Sequence, residues 1–572
     1  MSRKLWAGLL GGVVCTSAVV FAMAATELPR VFISIDQNID QATLHTYHHT
    51  DQGTRIMPAA FLQALEMADG SSKVMNPDNL RKWGFLVDNI AADALNPYGW
   101  PLGFTVSDPQ TSNGIAVAGV TCALCHTGQL EYRGTAIRIE GGQSNVDLPA
   151  FQAALYAAIQ ATAADSARTE AFLQNAIAAG YPADRVRNDF QSTVTTAIGL
   201  ITAQERLTGV TAGPGRVDAV QGIANAIFAA DLEVPSNARN YDAPVSYPYL
   251  WDIWRLSWLQ YNGFVPPLPD SRNIGEVLGV SGKTNIVDPA TGALNPEPER
   301  WRTSVQLKNL IWMESTLRNL KAPTWPAEIF GPIDQTKAAE GRQLFTRLCA
   351  GCHGIKERPD GMWDVPVVPL NRIGTDPNQA VNWAGRTYDG SKIGLGSAVA
   401  APTLSIAINA IRRQLYADYQ IPTSEQEDDV SFEAPCGYKA RPLIGVWATP
   451  PFLHNGSVRT IFDLLSDTRP ASFRFGSREY DPTNLGYEED NSPGATVLDT
   501  SISGNHNTGH WWTDDVSRPG RIGPRLLDDE KYALLEFLKS ATYDNYPRTK
   551  VVQQRPLPCA KNTNWAKGQA EQ

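Results

Sequence analysis

The sequence predicts a mainly α-helical protein with long loops, in which two domains each carry one copy of the same short motif. The pattern Cys-x-x-Cys-His occurs twice, at positions 122–126 and 349–353. Alanine-rich stretches between positions 146 and 212 place apolar residues at helical spacing. The chain also contains 46 glycines and 39 prolines, which favour long connections between the helices.

The repeated motif is the attachment sequence of c-type haem. Both thiols add to the vinyl groups of the porphyrin, and the adjacent imidazole becomes a ligand of its iron. The residues are Cys122, Cys125 and His126 at the first site, and Cys349, Cys352 and His353 at the second. A zinc ribbon would bring its two cysteine pairs much closer together in sequence, and a redox dithiol does not require the histidine. We therefore predict two covalently bound haem c groups, in two cytochrome c-like haem domains joined by an aromatic-rich connecting region.

The N-terminus has the pattern of a secretory signal. Basic residues precede an apolar run that ends in Ala22-Met23-Ala24, a small-x-small cleavage site. The predicted boundaries are a signal peptide at 1–24, an N-terminal haem c domain at 25–234, a connecting region at 235–325, a C-terminal haem c domain at 326–545 and a peripheral tail at 546–572. We expect a periplasmic or secreted protein with no membrane span after signal cleavage. A net charge of −10 without a basic cluster gives no indication of nucleic-acid binding.

Helical periodicity locates the main helices. In the N-terminal domain it predicts helices at 58–67, 148–159, 170–179 and 189–207. In the C-terminal domain, Gly341 and Phe345 lie one turn apart just before the second motif. We expect a helix at 528–539 to cross the chain there and close the domain.

Two features of the middle of the chain allow two interpretations each. Trp251, Trp254 and Trp258 are spaced to share one face of a helix, either as core or between the haem groups. Arg216 either forms a surface ion pair with Asp218 or points at a haem propionate, which suits a guanidinium.

The number of axial ligands distinguishes a haem that carries electrons, which usually has two, from a haem that binds a small molecule, which keeps one position open. After His126 the next methionine is Met313 and the next histidine is His353, so the first domain has no ordinary downstream ligand. The upstream candidates are Met57, Met67, Met75, His45, His48 and His49. If none of them folds back, the first haem keeps an open position.

The second haem has three candidate partners within its domain, which are His454, His506 and His510. Met362 is too close to His353 to reach the opposite face easily. A haem with two histidine ligands would be closed to substrates, so the sequence indicates one open and one closed haem.

Two cysteines remain after the haem thiols and Cys15 of the signal segment are set aside. Cys436 and Cys559 either form a disulfide, as an oxidising compartment favours, or remain two separate buried thiols.

At several motifs the chain resembles the di-haem cytochromes c related to bacterial di-haem peroxidases and, more closely, the rubber-oxygenase type. The similarity is strongest in Lys-Ala-Arg-Pro-Leu-Ile-Gly-Val-Trp-Ala-Thr-Pro-Pro-Phe-Leu-His-Asn-Gly-Ser-Val at 439–458, with further motifs at 121–128, 213–219, 272–276 and 499–510. The resemblance implies an N-terminal haem on His126 that binds O₂. It also implies a C-terminal haem held by His353 and His510.

The resemblance further implies a dioxygenase acting on the C=C region of a hydrophobic substrate, either an unsaturated fatty acid or an isoprenoid. The aromatic-rich stretch at 247–264 is the candidate lining of the pocket, and a periplasmic electron donor is a further possible partner. The alternative is a di-haem peroxidase or a lipid-hydroperoxide isomerase. Di-haem peroxidases usually give the second haem a methionine ligand, and no methionine follows Met362 here.

Overall fold

The computed structural model describes residues 31–87, 91–111, 113–288, 290–551 and 554–559. The predicted signal peptide at 1–24, with Cys15, lies outside these residues, as does the end of the tail beyond 559. Within the described ranges, no helix is both long enough and apolar enough to cross a membrane.

Short helices and very short strands alternate along the chain. The helices are Gln41–His49 (α1), Ala59–Ala64 (α2), Pro77–Lys82 (α3), Cys122–Cys125 (α4), Leu148–Ala164 (α5), Ser166–Ala178 (α6), Val186–Glu205 (α7), Ala219–Ala224 (α8), Pro269–Gly279 (α9), Leu307–Leu317 (α10), Ala327–Phe330 (α11), Gln335–Leu348 (α12), Ala350–His353 (α13), Leu370–Ile373 (α14), Asn378–Gly385 (α15), Leu404–Asp418 (α16), Ile461–Leu464 (α17) and Asp528–Ser540 (α18). The strands are Val31–Ser34 (β1), Met57–Pro58 (β2), Phe104–Val106 (β3), Val117–Val120 (β4), Thr127–Tyr132 (β5), Thr135–Glu140 (β6), Arg216–Val217 (β7), Val245–Ser246 (β8), Val367–Pro369 (β9), Thr387–Tyr388 (β10), Val399–Ala400 (β11), Gly437–Lys439 (β12), Ser472–Phe475 (β13), Tyr480–Asp481 (β14), Gly486–Tyr487 (β15), Thr496–Asp499 (β16), Trp511–Trp512 (β17) and Arg521–Gly523 (β18).

The predicted fold class, mainly α-helical with two cytochrome c-like haem domains, is wrong. The protein is 38% helical and 15% strand. Two three-stranded sheets, β1-β6-β5 and β2-β4-β3, accompany several two-stranded ones among the described residues. Most of these strands have two to four residues, too few to produce the alternation of apolar and polar residues by which a strand is recognised in sequence.

One hydrophobic core extends over both motif regions. Its buried residues run from Tyr47 to Tyr546 and include Ala123 within the first motif and Ala350 within the second. The aromatic-rich region expected to connect two domains contributes Trp251 and Phe264 to this same core. A second cluster packs α2 against α5, α6 and α7. Two independent haem domains are therefore not seen, and the predicted domain boundaries remain untested.

Several predicted helices are confirmed. The helices expected at 148–159, 170–179 and 189–207 correspond to α5, α6 and α7. α12 and α18 cross as expected in front of the second motif, where the rings of Phe345 and Phe537 lie 5.1 Å apart. Gly341 faces the backbone of Ala533 so closely that a Cβ atom at this position would collide with the Ala533 carbonyl.

The tryptophan stripe does not form. Asp252 has a left-handed backbone with φ of 60°, and only Ile253–Arg255 forms a single 3₁₀ turn. Trp251 stacks on Tyr249, whereas Trp254 lies under the guanidinium of the adjacent Arg255. The three tryptophans therefore share no helical face.

A disulfide joins Cys436 and Cys559, so this pair is not two separate thiols. It fixes the last described part of the tail beside β12, because both cysteines are buried in one small cluster with Leu370 and Tyr438.

Candidate haem sites

The first motif forms a single helical turn between two strands. α4 begins at Cys122, directly after β4, and ends at Cys125 before β5. One turn places the two thiols on the same side, and both are free. His126 follows with its backbone N–H bonded to the Cys122 carbonyl at 3.0 Å.

The His126 ring has the orientation of a metal ligand. Its Nδ1 donates to the Pro248 carbonyl at 2.8 Å, since a carbonyl oxygen only accepts. Burial lowers the pKa of His126 to about 4, so the imidazole is neutral. A neutral ring with Nδ1 hydrogen-bonded leaves Nε2 as the nitrogen that binds a metal.

The second motif repeats this arrangement. Cys349 ends α12, and α13 carries Cys352 and His353. The His353 Nδ1 donates to the Arg441 carbonyl at 2.8 Å. Burial also lowers the pKa of His353. Each motif histidine is thus held by one backbone carbonyl from a distant part of the chain.

His510 faces His353. Their ring centroids are 6.3 Å apart and their planes are inclined at 61°. The loop brings His510 there with a left-handed backbone, φ 51°, and its N–H donates to the Ile373 carbonyl at 2.7 Å. Gly509 allows this approach, because a Cβ atom there would collide with the backbone of Gly374. Burial lowers the pKa of His510 to about 3, so this ring is neutral as well.

The gap between these two rings fits an iron ion. Imidazole–metal bonds are about 2.0 Å, and a ring centroid lies about 1.1 Å beyond its nitrogen, so two axial histidines have centroids about 6.2 Å apart. The 6.3 Å separation of His353 and His510 agrees with this value. The motif thiols, which are outside any disulfide, the neutral imidazoles and the ring spacing therefore all fit a covalently bound haem.

The other two candidates for the second haem do not face His353. The His454 ring stacks on Tyr438 with centroids 4.0 Å apart. The His506 Nδ1 donates to the Thr500 carbonyl at 3.0 Å. Of the three, only the His510 ring contacts the His353 ring.

The upstream candidates for the first haem are engaged elsewhere. His45 and His48 bond to carboxylates of Asp93 and Glu140, and His49 bonds to the Phe104 carbonyl. Met57, Met67 and Met75 belong to or pack against the hydrophobic cluster around α2. No ring contact among the described residues places a second histidine opposite His126.

A small cavity of about 20 Å³ is lined in part by residues that interact electrostatically with the first motif. Its apolar lining includes Val220, Ile223, Phe264, Val265, Leu404 and Ile408. Arg272 and Glu276 of α9 form its polar part, and both interact electrostatically with the Cys122 thiol.

Glu276 is a functional candidate that no sequence pattern singled out. Burial raises its pKa, against the lowering effect of Arg272. Gln260 donates to its Oε1 at 3.3 Å. Arg272 is itself paired with Glu314, so the cavity contains a carboxyl group that can hold a proton.

Arg216 follows neither interpretation from the sequence. Its guanidinium donates to the carbonyls of Ala212, Thr211 and Asn455 and to the Asn505 side chain. Asp218 instead accepts backbone N–H groups, including that of Ala243 at 3.0 Å. The ion pair is absent, and the donors of Arg216 already have protein acceptors.

Comparison with known proteins agrees with these sites at a coarse level. Residues 437–474 match the family model described as RoxA-like, cytochrome c-like. This segment contains β12 and Arg441, whose carbonyl holds His353. This match supports, at a coarse level, a RoxA-type cytochrome, a class that carries covalent haem c and comprises haem-dependent oxidoreductases.

The relatives extend over most of the chain. The uncharacterized protein y4iJ of Sinorhizobium fredii is 32% identical over 94% of this chain and 100% of its own length. The chain belongs to the same family as y4iJ. The uncharacterized protein y4iM of the same organism is 27% identical over 51% of this chain and 63% of its own length.

Proposed function

We propose that the protein is a periplasmic oxygenase with two haem c groups, which adds O₂ to the C=C region of an unsaturated fatty acid or an isoprenoid. The observation that carries the proposal is the difference between the two sites. His510 stands opposite His353 at a distance that an iron ion would span, whereas His126 has no such partner among the described residues. His126 instead interacts electrostatically with Arg272, which lines an apolar cavity.

The chain's own residues support the reaction in two ways. His126 and its Pro248 acceptor hold a neutral imidazole in a fixed orientation. A haem bound at this motif would supply the iron that activates O₂. Phe264 and the aliphatic side chains beside it exclude water and provide an apolar surface for an alkene.

The second site has a different role in this proposal. His353 and His510 would both bind a metal held between their rings, which would leave no position on it for a substrate. Such a site accepts and passes electrons, and its two imidazoles set its potential.

The test is oxygen uptake by the purified holoprotein, without added reductant, on oleate and on a short polyisoprene. A hydroperoxy or diol acid would identify a fatty-acid oxygenase, and shortened keto-aldehydes would identify isoprenoid cleavage. No uptake on either substrate, with CO still binding to the reduced protein, would contradict the proposal.

Two neighbouring isoleucines of α16 provide a matched pair of variants. Ile408 lines the cavity, while Ile406 is 47% exposed. Ile408→Phe reduces the cavity volume and is expected to raise the KM for the alkene. Ile406→Phe adds the same side-chain volume outside the cavity and is expected to leave oxygen uptake unchanged.

Glu276 favours peroxide chemistry as the second candidate function. A buried carboxyl group with a raised pKa can deliver a proton to, or take one from, a peroxide oxygen in the cavity. Peroxide consumption with a reduced cytochrome donor, or conversion of lipid hydroperoxides to diols, would support this alternative. It would be favoured if Glu276→Gln abolished that activity and O₂ uptake with alkenes were absent from the parent protein.

A further inference from the structure

The carbonyls that hold His126 and His353 belong to two segments that are bonded to each other. Pro248 accepts from His126 and lies in segment 248–251. Arg441 accepts from His353 and begins segment 441–444. We refer to segments 248–251 and 441–444 together as the clasp.

Four hydrogen bonds connect the two segments. The Arg441 guanidinium donates from Nη1 to the Tyr249 carbonyl and from Nη2 to the Trp251 carbonyl, both at 2.8 Å. In the opposite direction, the Tyr249 hydroxyl donates to the Pro442 carbonyl at 2.7 Å, and the Trp251 indole N–H donates to the Ile444 carbonyl at 2.8 Å.

The side chains of the clasp form one buried stack. The Arg441 guanidinium lies 3.5 Å from the centroid of the Tyr249 ring. Tyr249 in turn stacks on Trp251 with centroids 4.4 Å apart and planes inclined at 25°. Trp251 is 1% exposed. Hydrogen bonds in such a dry environment are strong and directional, so neither segment can shift without the other.

We propose that the clasp couples the two haem sites through their motif histidines, with Arg441 as the positioning residue. Arg441 acts through both of its ends. Its backbone carbonyl orients His353, and its guanidinium fixes the segment whose Pro248 carbonyl orients His126. The strength of an Nδ1–H···O bond sets how much electron density an imidazole donates to its metal. A displacement at one histidine is therefore transmitted to the ligand strength of the other. This inference rests on the proposed function, because it requires haem at both motifs.

The two hydrogen bonds donated by the Arg441 guanidinium are the part of the clasp that a substitution can test. Arg441→Lys keeps the positive charge but cannot donate to two carbonyls with the same geometry. The matched control is Arg168→Lys, because Arg168 also donates to two backbone carbonyls, those of Met67 and Ala68, which belong to neither segment of the clasp. Trp251→Phe is a milder second variant, which retains an aromatic ring but loses the bond to Ile444.

The measurement is resonance Raman spectroscopy of the reduced holoprotein, together with midpoint potentials of both haem groups and the thermal unfolding midpoint. In Arg441→Lys the Pro248 carbonyl is less well placed. The iron–His126 stretching frequency is therefore expected to fall and the potential of that haem to rise. Trp251→Phe should give a smaller change of the same sign, and Arg168→Lys none.

The outcomes separate the coupling from the function on which it rests. Two haem groups in the parent protein, with unchanged His126 signals in both Arg441→Lys and Trp251→Phe, refute the coupling alone. A shift confined to the His353 site refutes it equally. A parent protein with haem at only one motif refutes the proposed two-haem function and the coupling together. A lower unfolding midpoint of Arg441→Lys without a spectroscopic change would show that the clasp only stabilises the fold, which also refutes the coupling.

Discussion

His510→Gly removes the imidazole that stands opposite His353. With iron midway in the 6.3 Å gap, that ring occupies the coordination position about 2 Å from the metal. Glycine leaves the position open and large enough for a diatomic ligand. The backbone tolerates the change, because residue 510 has φ of 51°, a region that glycine adopts without strain, whereas an alanine there would cost about 1–2 kcal/mol. The Nδ1 atom of His510 has no hydrogen-bond partner within the described residues, so no bond from it is lost.

The assay is CO binding to the reduced protein, followed by its absorption spectrum. We expect the unmodified protein to bind CO at one haem and His510→Gly to bind it at both, with only the second haem changing from low to high spin. Added imidazole should restore the original spectrum by refilling the vacated position. His454→Gly is the control, since burial lowers the pKa of His454 to about 3 as well, but its ring stacks on Tyr438. An unchanged CO stoichiometry in His510→Gly, or the same gain in His454→Gly, would refute the ligand assignment.

Three other predictions concern the cavity, a buried carboxyl group and a helix crossing. Glu276→Gln should remove any pH dependence of substrate turnover that arises from this carboxyl, which pH–rate profiles of variant and parent would reveal. Burial raises the pKa of Asp231 to about 6 from an ordinary value of 3.8, so the folded state retains a proton that the unfolded state loses. Stability should consequently fall between about pH 4 and pH 6, by up to about 3 kcal/mol, and Asp231→Asn should flatten that part of a denaturation series. Gly341→Ala should destabilise the protein by about 1–3 kcal/mol in chemical denaturation because of the collision with Ala533, whereas Gly199→Ala, in α7 with open space around it, should not.

The metal-ligand pattern was largely accessible from sequence, because its chemistry is local. Two cysteines followed by a histidine at this spacing indicate haem attachment by themselves, and the same five-residue pattern occurs at both sites. His510 was indicated by resemblance, and its position opposite His353 supports that assignment, which awaits the CO experiment.

The parts that sequence could not predict depend on contacts between distant residues or on backbone atoms. Pro248 holds His126 through a carbonyl, which every residue type possesses, so no side-chain pattern could reveal it. Arg441 was visible only as part of a motif, with no indication that its guanidinium would reach segment 248–251. The tryptophan periodicity failed for a local reason, because the left-handed backbone at Asp252 interrupts any helix there.

The continuous core has a consequence for how the protein unfolds. Residues from Tyr47 to Tyr546 pack into one cluster that reaches both motifs, and Cys122 and Cys349 pack against it while remaining only partly buried. Because the two motif regions share this cluster, a loss of packing at one of them weakens the support of the other. The regions around the two motifs should therefore open together, as one cooperative unit, and not as two separately melting halves.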